Sequence, residues 1–114
     1  MKKYVFLAVA LLSVGALAAF SPLGSLEAEV LTVSTTATEL KPAAYGGRAP
    51  ASCRVWNNSV TVVYIGGSGV DTTDGYPICT DTASCPEAAI TVDGNGLYGI
   101  VAASTQDVNV LCGR

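Results

Sequence analysis

The sequence of 114 residues contains no histidine, and charged residues make up only 13% of it. Without histidine the chain lacks the commonest general base and the commonest metal ligand, and a Ser-His-Asp triad is excluded. Glycoside hydrolysis by paired carboxylates needs no histidine, but so small a domain offers little room for a substrate cleft. We therefore expect a protein that is not an enzyme and that holds no cofactor or metal ion.

Positive charge is also scarce in this chain. Beyond Lys2 and Lys3 it carries four basic residues against nine acidic ones, a net charge of −5, and the basic residues are scattered. A phosphate backbone is bound by clustered lysine and arginine side chains. The sequence therefore predicts no nucleic-acid partner.

One long hydrophobic run, residues 4–20, follows the two N-terminal lysines and contains no charged residue. The run is typical of a secretory signal peptide, with Ala16-Leu17-Ala18 as the cleavage site. It also fits a retained membrane anchor, since a helix of this length spans about 25 Å, and a soluble packing helix is the third interpretation. Both main interpretations carry the rest of the chain across a membrane. The side chains expected in the membrane are Tyr4, Phe6, Leu7, Leu11, Leu12, Leu17 and Phe20.

Residues 27–114 form the predicted folded domain, and residues 1–26 form the N-terminal hydrophobic segment. Val, Thr, Ala and Gly dominate the domain, and short alternating segments are separated by turn signals such as Asp93-Gly94-Asn95-Gly96. This pattern predicts an all-β fold, a single small antiparallel β-sandwich that is jelly-roll-like with six or seven strands, preceded by an N-terminal hydrophobic helix. The strands are expected over residues 29–40, 51–57, 60–65, 76–79, 87–92, 97–102 and 108–112.

Two of these strands carry further expectations. The strand over residues 76–79 contains Pro77, which cannot donate to a central ladder, so it is expected at a sheet edge. The strand over residues 51–57 alternates between two faces. Cys53, Val55 and Asn57 share one face, and Arg54 and Trp56 share the other.

Four cysteines follow the export-like segment: Cys53, Cys79, Cys85 and Cys112. They form no C-x2-C unit, so disulfides are a better interpretation than zinc ligands. Of the three pairings that four cysteines allow, we predict Cys79 with Cys85, which bracket a short polar loop, and Cys53 with Cys112. The longer closure contributes roughly 4 kcal/mol through loop entropy. The alternative is four free thiols in a small core.

Several loop residues have a functional and a purely structural interpretation. Asp71 and Asp74 offer carboxylates for calcium, but their spacing lacks the ligand ladder of an EF-hand, so turn capping is expected. Asn57-Asn58-Ser59 matches an N-glycosylation sequon, yet a tight turn uses the same residues. The glycine-rich residues 66–69 follow a strand but precede neither a helix nor a lysine, which excludes a phosphate loop.

Aromatic side chains are the remaining candidates for binding. They would form a sugar-stacking platform if they were exposed together: Tyr45, Trp56, Tyr64, Tyr76 and Tyr98. Trp56 and Tyr64 are expected to pack the sheet. Tyr45 and Tyr76 lie in or beside predicted loops and, with Asp71 and Asp74, are the candidates for contact with a partner.

Five motifs follow one another in a distinctive order. They are Asn57-Asn58-Ser59, Val63-Tyr64-Ile65-Gly66-Gly67-Ser68-Gly69-Val70, Thr72-Thr73-Asp74-Gly75-Tyr76-Pro77-Ile78, Leu97-Tyr98-Gly99-Ile100-Val101 and Asp107-Val108-Asn109-Val110-Leu111. Over about residues 30–112 this order resembles a small β-sandwich found in accessory virion proteins of bacteriophages, which include head-fibre, decoration and minor capsid components. The resemblance implies a structural protein, often oligomeric, attached to a particle surface.

The chain departs from that family in its export-like segment and in its cysteines, since the Cys79–Cys85 loop replaces a simple Pro-Gly or Ala-Gly turn. A phage with an internal lipid membrane, or one extruded through the cell envelope, would reconcile both departures.

We therefore expect an accessory virion protein, of the minor capsid, decoration or spike and fibre-base type. Its partners would be other virion structural proteins, further copies of itself, and a viral or host membrane through the N-terminal segment. One alternative is a secreted or periplasmic carbohydrate-binding module that takes a glycan. The other alternative is a pilus-like surface-fibre subunit.

Overall fold

The computed structural model describes residues 26–113, which fold into eight β-strands and one short 3-10 helix, Ala43–Tyr45. The strands are β1 Glu27–Val33, β2 Thr38–Glu39, β3 Ser52–Trp56, β4 Val63–Gly66, β5 Tyr76–Ile78, β6 Ala89–Asp93, β7 Tyr98–Ile100 and β8 Gln106–Gly113. The predicted N-terminal helix and its membrane side chains lie outside the described residues. Within residues 26–113, no helix has the length and hydrophobicity needed to cross a membrane.

The strands form two antiparallel sheets of four strands each, in the orders β1-β8-β3-β6 and β2-β7-β4-β5. The all-β fold with two sheets is therefore confirmed. The first and last strands pair over seven residues, from Glu27 opposite Cys112 to Val33 opposite Gln106. Both ends of the described chain thus belong to the same sheet.

The predicted count of six or seven strands is too low, because the single bent strand expected over residues 29–40 is two strands in different sheets. A turn separates β1 from β2, and side-chain oxygens satisfy its backbone. Ser34 Oγ accepts the Thr36 N–H at 3.2 Å, and Thr38 Oγ1 donates to the Thr36 carbonyl at 2.9 Å. These local hydroxyl contacts compete with the strand ladder and let the chain cross between sheets.

The hydrophobic core lies between the two sheets and is built mainly from valine. Alternation along β3 places Cys53 and Val55 inside and puts Arg54 and Trp56 on the opposite face, as the sequence predicts. Both residues of that opposite face are exposed. The fully buried side chains include Val33, Leu40, Val63, Ile78, Val101, Val108 and Val110. Fully burying one such side chain contributes about 1.5–3 kcal/mol to the free energy of unfolding, so this set supplies the main driving force for folding.

Two of the predicted strands, β5 and β4, are present but are shorter than expected. β5 is an edge strand, and it contains Pro77 as predicted. β4 is an interior strand, but it begins at Val63 rather than at Val60, which is 70% exposed. The Ser59 hydroxyl accepts the Thr61 N–H at 3.1 Å, so this stretch is a turn and not a ladder.

Both disulfides join the cysteines that their spacing pairs. Cys53 is bonded to Cys112 across 59 residues, and Cys79 to Cys85 across six. The first bond links two neighbouring strands of one sheet. The second closes the loop that follows β5.

Candidate functional site

The carboxylates of Asp71 and Asp74 accept hydrogen bonds from the backbone of their own loop. Asp71 Oδ1 accepts the N–H groups of Thr73 at 2.8 Å and Asp74 at 2.9 Å, and Asp74 Oδ1 accepts the Asp71 N–H at 3.2 Å. The donation from Asp74 and then from Thr73 lowers the pKa of the Asp71 carboxyl, because both bonds favour its charged form. Among residues 26–113 no three acidic or cysteine side chains come together as metal ligands.

Asn57 is a structural residue at the end of β3. Its side chain is fully buried, and its amide donates to the carbonyls of Thr61 at 2.7 Å and Ile78 at 2.8 Å. Its Oδ1 has no partner among the described protein atoms. An amide held in this way is closed to a glycosylating enzyme in the folded protein, so the sequon acts as a turn.

The prediction that Tyr45 contacts a partner is wrong. Tyr45 is only 2% exposed, because the short helix Ala43–Tyr45 packs beside β1. The Ala43 N–H donates to Glu29 Oε1 at 3.1 Å, and the Arg48 guanidinium lies over the Tyr45 ring, 5.7 Å from its centre. The tyrosine therefore joins the core from what the sequence presents as an open loop.

Tyr76 remains exposed and lines a cleft between the edges of the two sheets. Its side chain is 42% exposed, and its hydroxyl donates to Glu87 Oε1 at 2.6 Å. This bond to the carboxylate raises the pKa of the Tyr76 phenol, since the neutral form holds the shared proton. The cleft, which we call the edge cleft, has a volume of about 640 Å³. It is lined by Ile65, Gly66, Gly67, Tyr76, Glu87, Ile90, Thr91, Val92, Asp93, Asn95, Gly96 and Leu97.

One wall of the edge cleft is the free edge of β6, which in the described part of the chain pairs only with β3. The Ala88 carbonyl, just before β6, accepts the Asn57 N–H at 2.9 Å. The Gly94 N–H, just after β6, donates to the Ala51 carbonyl at 3.3 Å. Alternation between these ends turns the N–H and C=O groups of Ala89, Thr91 and Asp93 toward the cleft. Such an edge can accept an extended segment from another chain.

A second exposed surface lies on the outer face of the β1-β8-β3-β6 sheet. Four large apolar side chains define it, and we call it the outer patch: Leu26 at 65% exposure, Val30 at 59%, Trp56 at 44% and Leu111 at 42%. Val30, Trp56 and Leu111 line a shallow groove of about 470 Å³. The groove is also lined by Ala28, Glu29, Arg54, Asn109 and Val110. The guanidinium of Arg54 donates to Thr91 Oγ1 of the neighbouring strand β6 at 3.1 Å.

The outer patch is the surface that sequence reasoning missed. Trp56 was expected to pack the sheet, but it lies on the side of β3 that faces away from the core. The signal was present in β1, where alternation puts Leu26, Ala28 and Val30 on the same outer side. Apolar residues on the outward positions of an edge strand indicate a surface that another partner covers.

The residues thus define a small disulfide-linked β-sandwich with two exposed surfaces, the edge cleft and the outer patch. Comparison of the chain with protein-family models, with curated proteins and with solved structures finds no match.

Proposed function

We propose that this protein is an accessory structural protein of a virion, of the minor capsid, decoration or spike-base type, held at a membrane by its N-terminal segment. The observation that carries the proposal is the strand order. The orders 1-8-3-6 and 2-7-4-5 match those of an eight-stranded jelly roll, an architecture that recurs in viral capsid and lectin domains.

The two disulfides support a location outside the cytoplasm. Cys53–Cys112 and Cys79–Cys85 account for all four cysteines, and bonds of this kind form and persist in oxidising compartments. A domain of about 90 residues has a limited core, so cross-links of this kind offset its small size. A particle component exposed outside the cell needs that resistance to unfolding.

The edge cleft is the surface that we assign to a neighbouring protein subunit. Its floor contains the side chains of Ile65, Ile90 and Leu97, and its wall offers unpaired backbone groups of β6. An extended segment of a neighbour would satisfy those groups and cover the apolar floor. A second copy of this chain or another capsid protein fits that description.

A glycan is the second candidate for the same cleft. The exposed Tyr76 side chain bonds to the Glu87 carboxylate, and Asn95 lines the same cleft. An aromatic face with hydrogen-bonding groups at its rim suits a sugar, and lectins share the jelly-roll architecture. In this function the protein would be a secreted or periplasmic binding module.

Purified, nuclease-treated particles provide the test. We expect the protein in such particles and expect it to be released when detergent removes lipid, and its absence from particles would contradict the proposal. Tyr76→Ala should reduce incorporation if the edge cleft holds a neighbour. Val60→Ala is the control, because this exposed side chain lines neither the edge cleft nor the groove of the outer patch. Binding to a glycan array that Tyr76→Ala abolishes, with no incorporation into particles, would favour the glycan module.

A further inference from the structure

We infer that the outer patch lies against a lipid surface, so that the domain rests on the membrane that holds its N-terminal segment. This inference depends on the retained anchor in the proposed function. It assigns a partner to a sheet face that the capsid and glycan functions leave uncovered.

The patch is continuous across three strands. In one row Val30 of β1 is opposite Asn109 of β8, which is opposite Trp56 of β3. In the next row Ala28, Leu111 and Arg54 are aligned in the same way. These two rows place apolar side chains from each strand in one outward-facing surface.

The outer patch is close in sequence to the hydrophobic run that we propose as the anchor. Leu26 follows the hydrophobic residues 4–20 after only five intervening residues, 21–25. Fully extended, that connection spans at most about 20 Å. Leu26 itself belongs to the outer patch, and its Cδ2 lies 3.0 Å from the position that a Cβ on Gly113 would occupy. A membrane-embedded run would therefore hold this face of the sandwich close to the bilayer.

The centre of the patch suits a lipid headgroup layer. The acidic side chains of β1, Glu27 and Glu29, alternate onto the opposite side of the strand from Val30. Arg54 is the single charged residue in the two rows of the patch, and the carboxylates of the same face lie one row beyond them, at Asp107 and Asp93. Tryptophan favours the membrane interface, and an arginine beside it can bind lipid phosphate.

Trp56 is the sole tryptophan of the chain and therefore reports on this face directly. The full chain would be reconstituted into phosphatidylcholine vesicles, with and without brominated acyl chains as quenchers. We expect the Trp56 emission to be blue-shifted in the vesicles without bromine. We expect the brominated acyl chains to quench most of that emission. The double variant Val30→Ser/Leu111→Ser should recover the emission. Val60→Ser, which changes an exposed valine outside the patch, should not.

Three other outcomes would contradict the lipid contact of the outer patch, and they differ in what they say about the anchor. If the chain floats with vesicles but its Trp56 emission is the same in both lipids, the face is directed away from the membrane, while the anchor is retained. If the chain does not float, both the anchor and this inference fail. A blue shift that grows with protein concentration in the absence of vesicles assigns the face to a second copy instead.

Discussion

Cys53 of β3 and Cys112 of β8 occupy directly opposed positions on the two central strands of the β1-β8-β3-β6 sheet, with their Cα atoms 4.1 Å apart. Both side chains are 1% exposed, so the bond lies inside the core. It joins the third strand to the last and closes a segment that contains β4, β5 and β7, three of the four strands of the second sheet. The Cys79–Cys85 bond closes only a local loop.

Removing the two disulfides should therefore have unequal effects. Loop-closure entropy predicts a loss of about 4 kcal/mol for Cys53→Ala/Cys112→Ala and about 2 kcal/mol for Cys79→Ala/Cys85→Ala. The comparison is matched because all four cysteines are buried to a similar extent. Urea unfolding of the two double variants measures the difference. Equal losses would show that loop entropy does not dominate.

The disulfide pairs and the alternation of β3 were predictable because each depends on local spacing. The short polar loop between Cys79 and Cys85 makes their closure the most local one available, and the remaining pair follows by elimination. The strand count was not predictable, because β2 is two residues long and has no pattern of its own. Its membership of the second sheet depends on pairing with β7, which is distant in sequence.

Asn57 provides a prediction about stability. Asn57→Ala removes both donors and leaves the carbonyls of Thr61 and Ile78 without them, which should cost about 2–3 kcal/mol. Asn58→Ala, at the exposed neighbouring position, should change the free energy of unfolding by less than about 0.5 kcal/mol. Thermal or urea unfolding measures both. Similar values for the two variants would mean that the Asn57 bonds contribute little.

Gly75 is required by close packing and not by backbone conformation. A Cβ at this position would lie 2.6 Å from Tyr64 Cβ and 2.8 Å from Val70 Cγ2. Gly75→Ala should therefore destabilise the fold by about 1–3 kcal/mol. Gly67→Ala is the control, since a Cβ there meets nothing within 4 Å, and it should be neutral or slightly stabilising. A neutral Gly75→Ala variant would show that this loop moves to accept the methyl group.

The candidate surfaces were predictable only in part, because tertiary contacts decide which aromatic side chains are exposed. Tyr45 and Tyr76 both come from segments with prolines nearby, and their local sequences do not separate them. Tyr45 is buried because its short helix packs beside β1, whereas Tyr76 lies on the edge strand β5 and stays 42% exposed. Whether an aromatic ring is a core residue or a contact residue is thus decided by neighbours that are distant in sequence.

The Asp71 loop should respond to acid. The pKa of Asp71 is lowered from its ordinary value of 3.8 by bonds from the Asp74 and Thr73 N–H groups. A lowered folded-state pKa means that the charged carboxylate stabilises the fold above pH 3.8 and that this contribution is lost as the pH falls further. The stability difference between the wild type and Asp71→Asn, which keeps an acceptor oxygen, should shrink below that pH. A difference that is constant with pH would contradict the role of the charge.

Tyr76 should respond to alkali in the opposite sense. Its hydroxyl donates to Glu87, and this bond raises the pKa of the phenol above its ordinary value of 10.0. Because the folded-state pKa is raised, the bond of the neutral phenol stabilises the fold below pH 10.0. This contribution is lost as the pH rises through the folded-state pKa. An NMR titration assigned with Tyr76→Phe should give a midpoint above 10.0 that Glu87→Ala returns toward the ordinary value. An unchanged midpoint in Glu87→Ala would mean that the bond does not persist in solution and that the rim of the edge cleft is not preorganised for a partner.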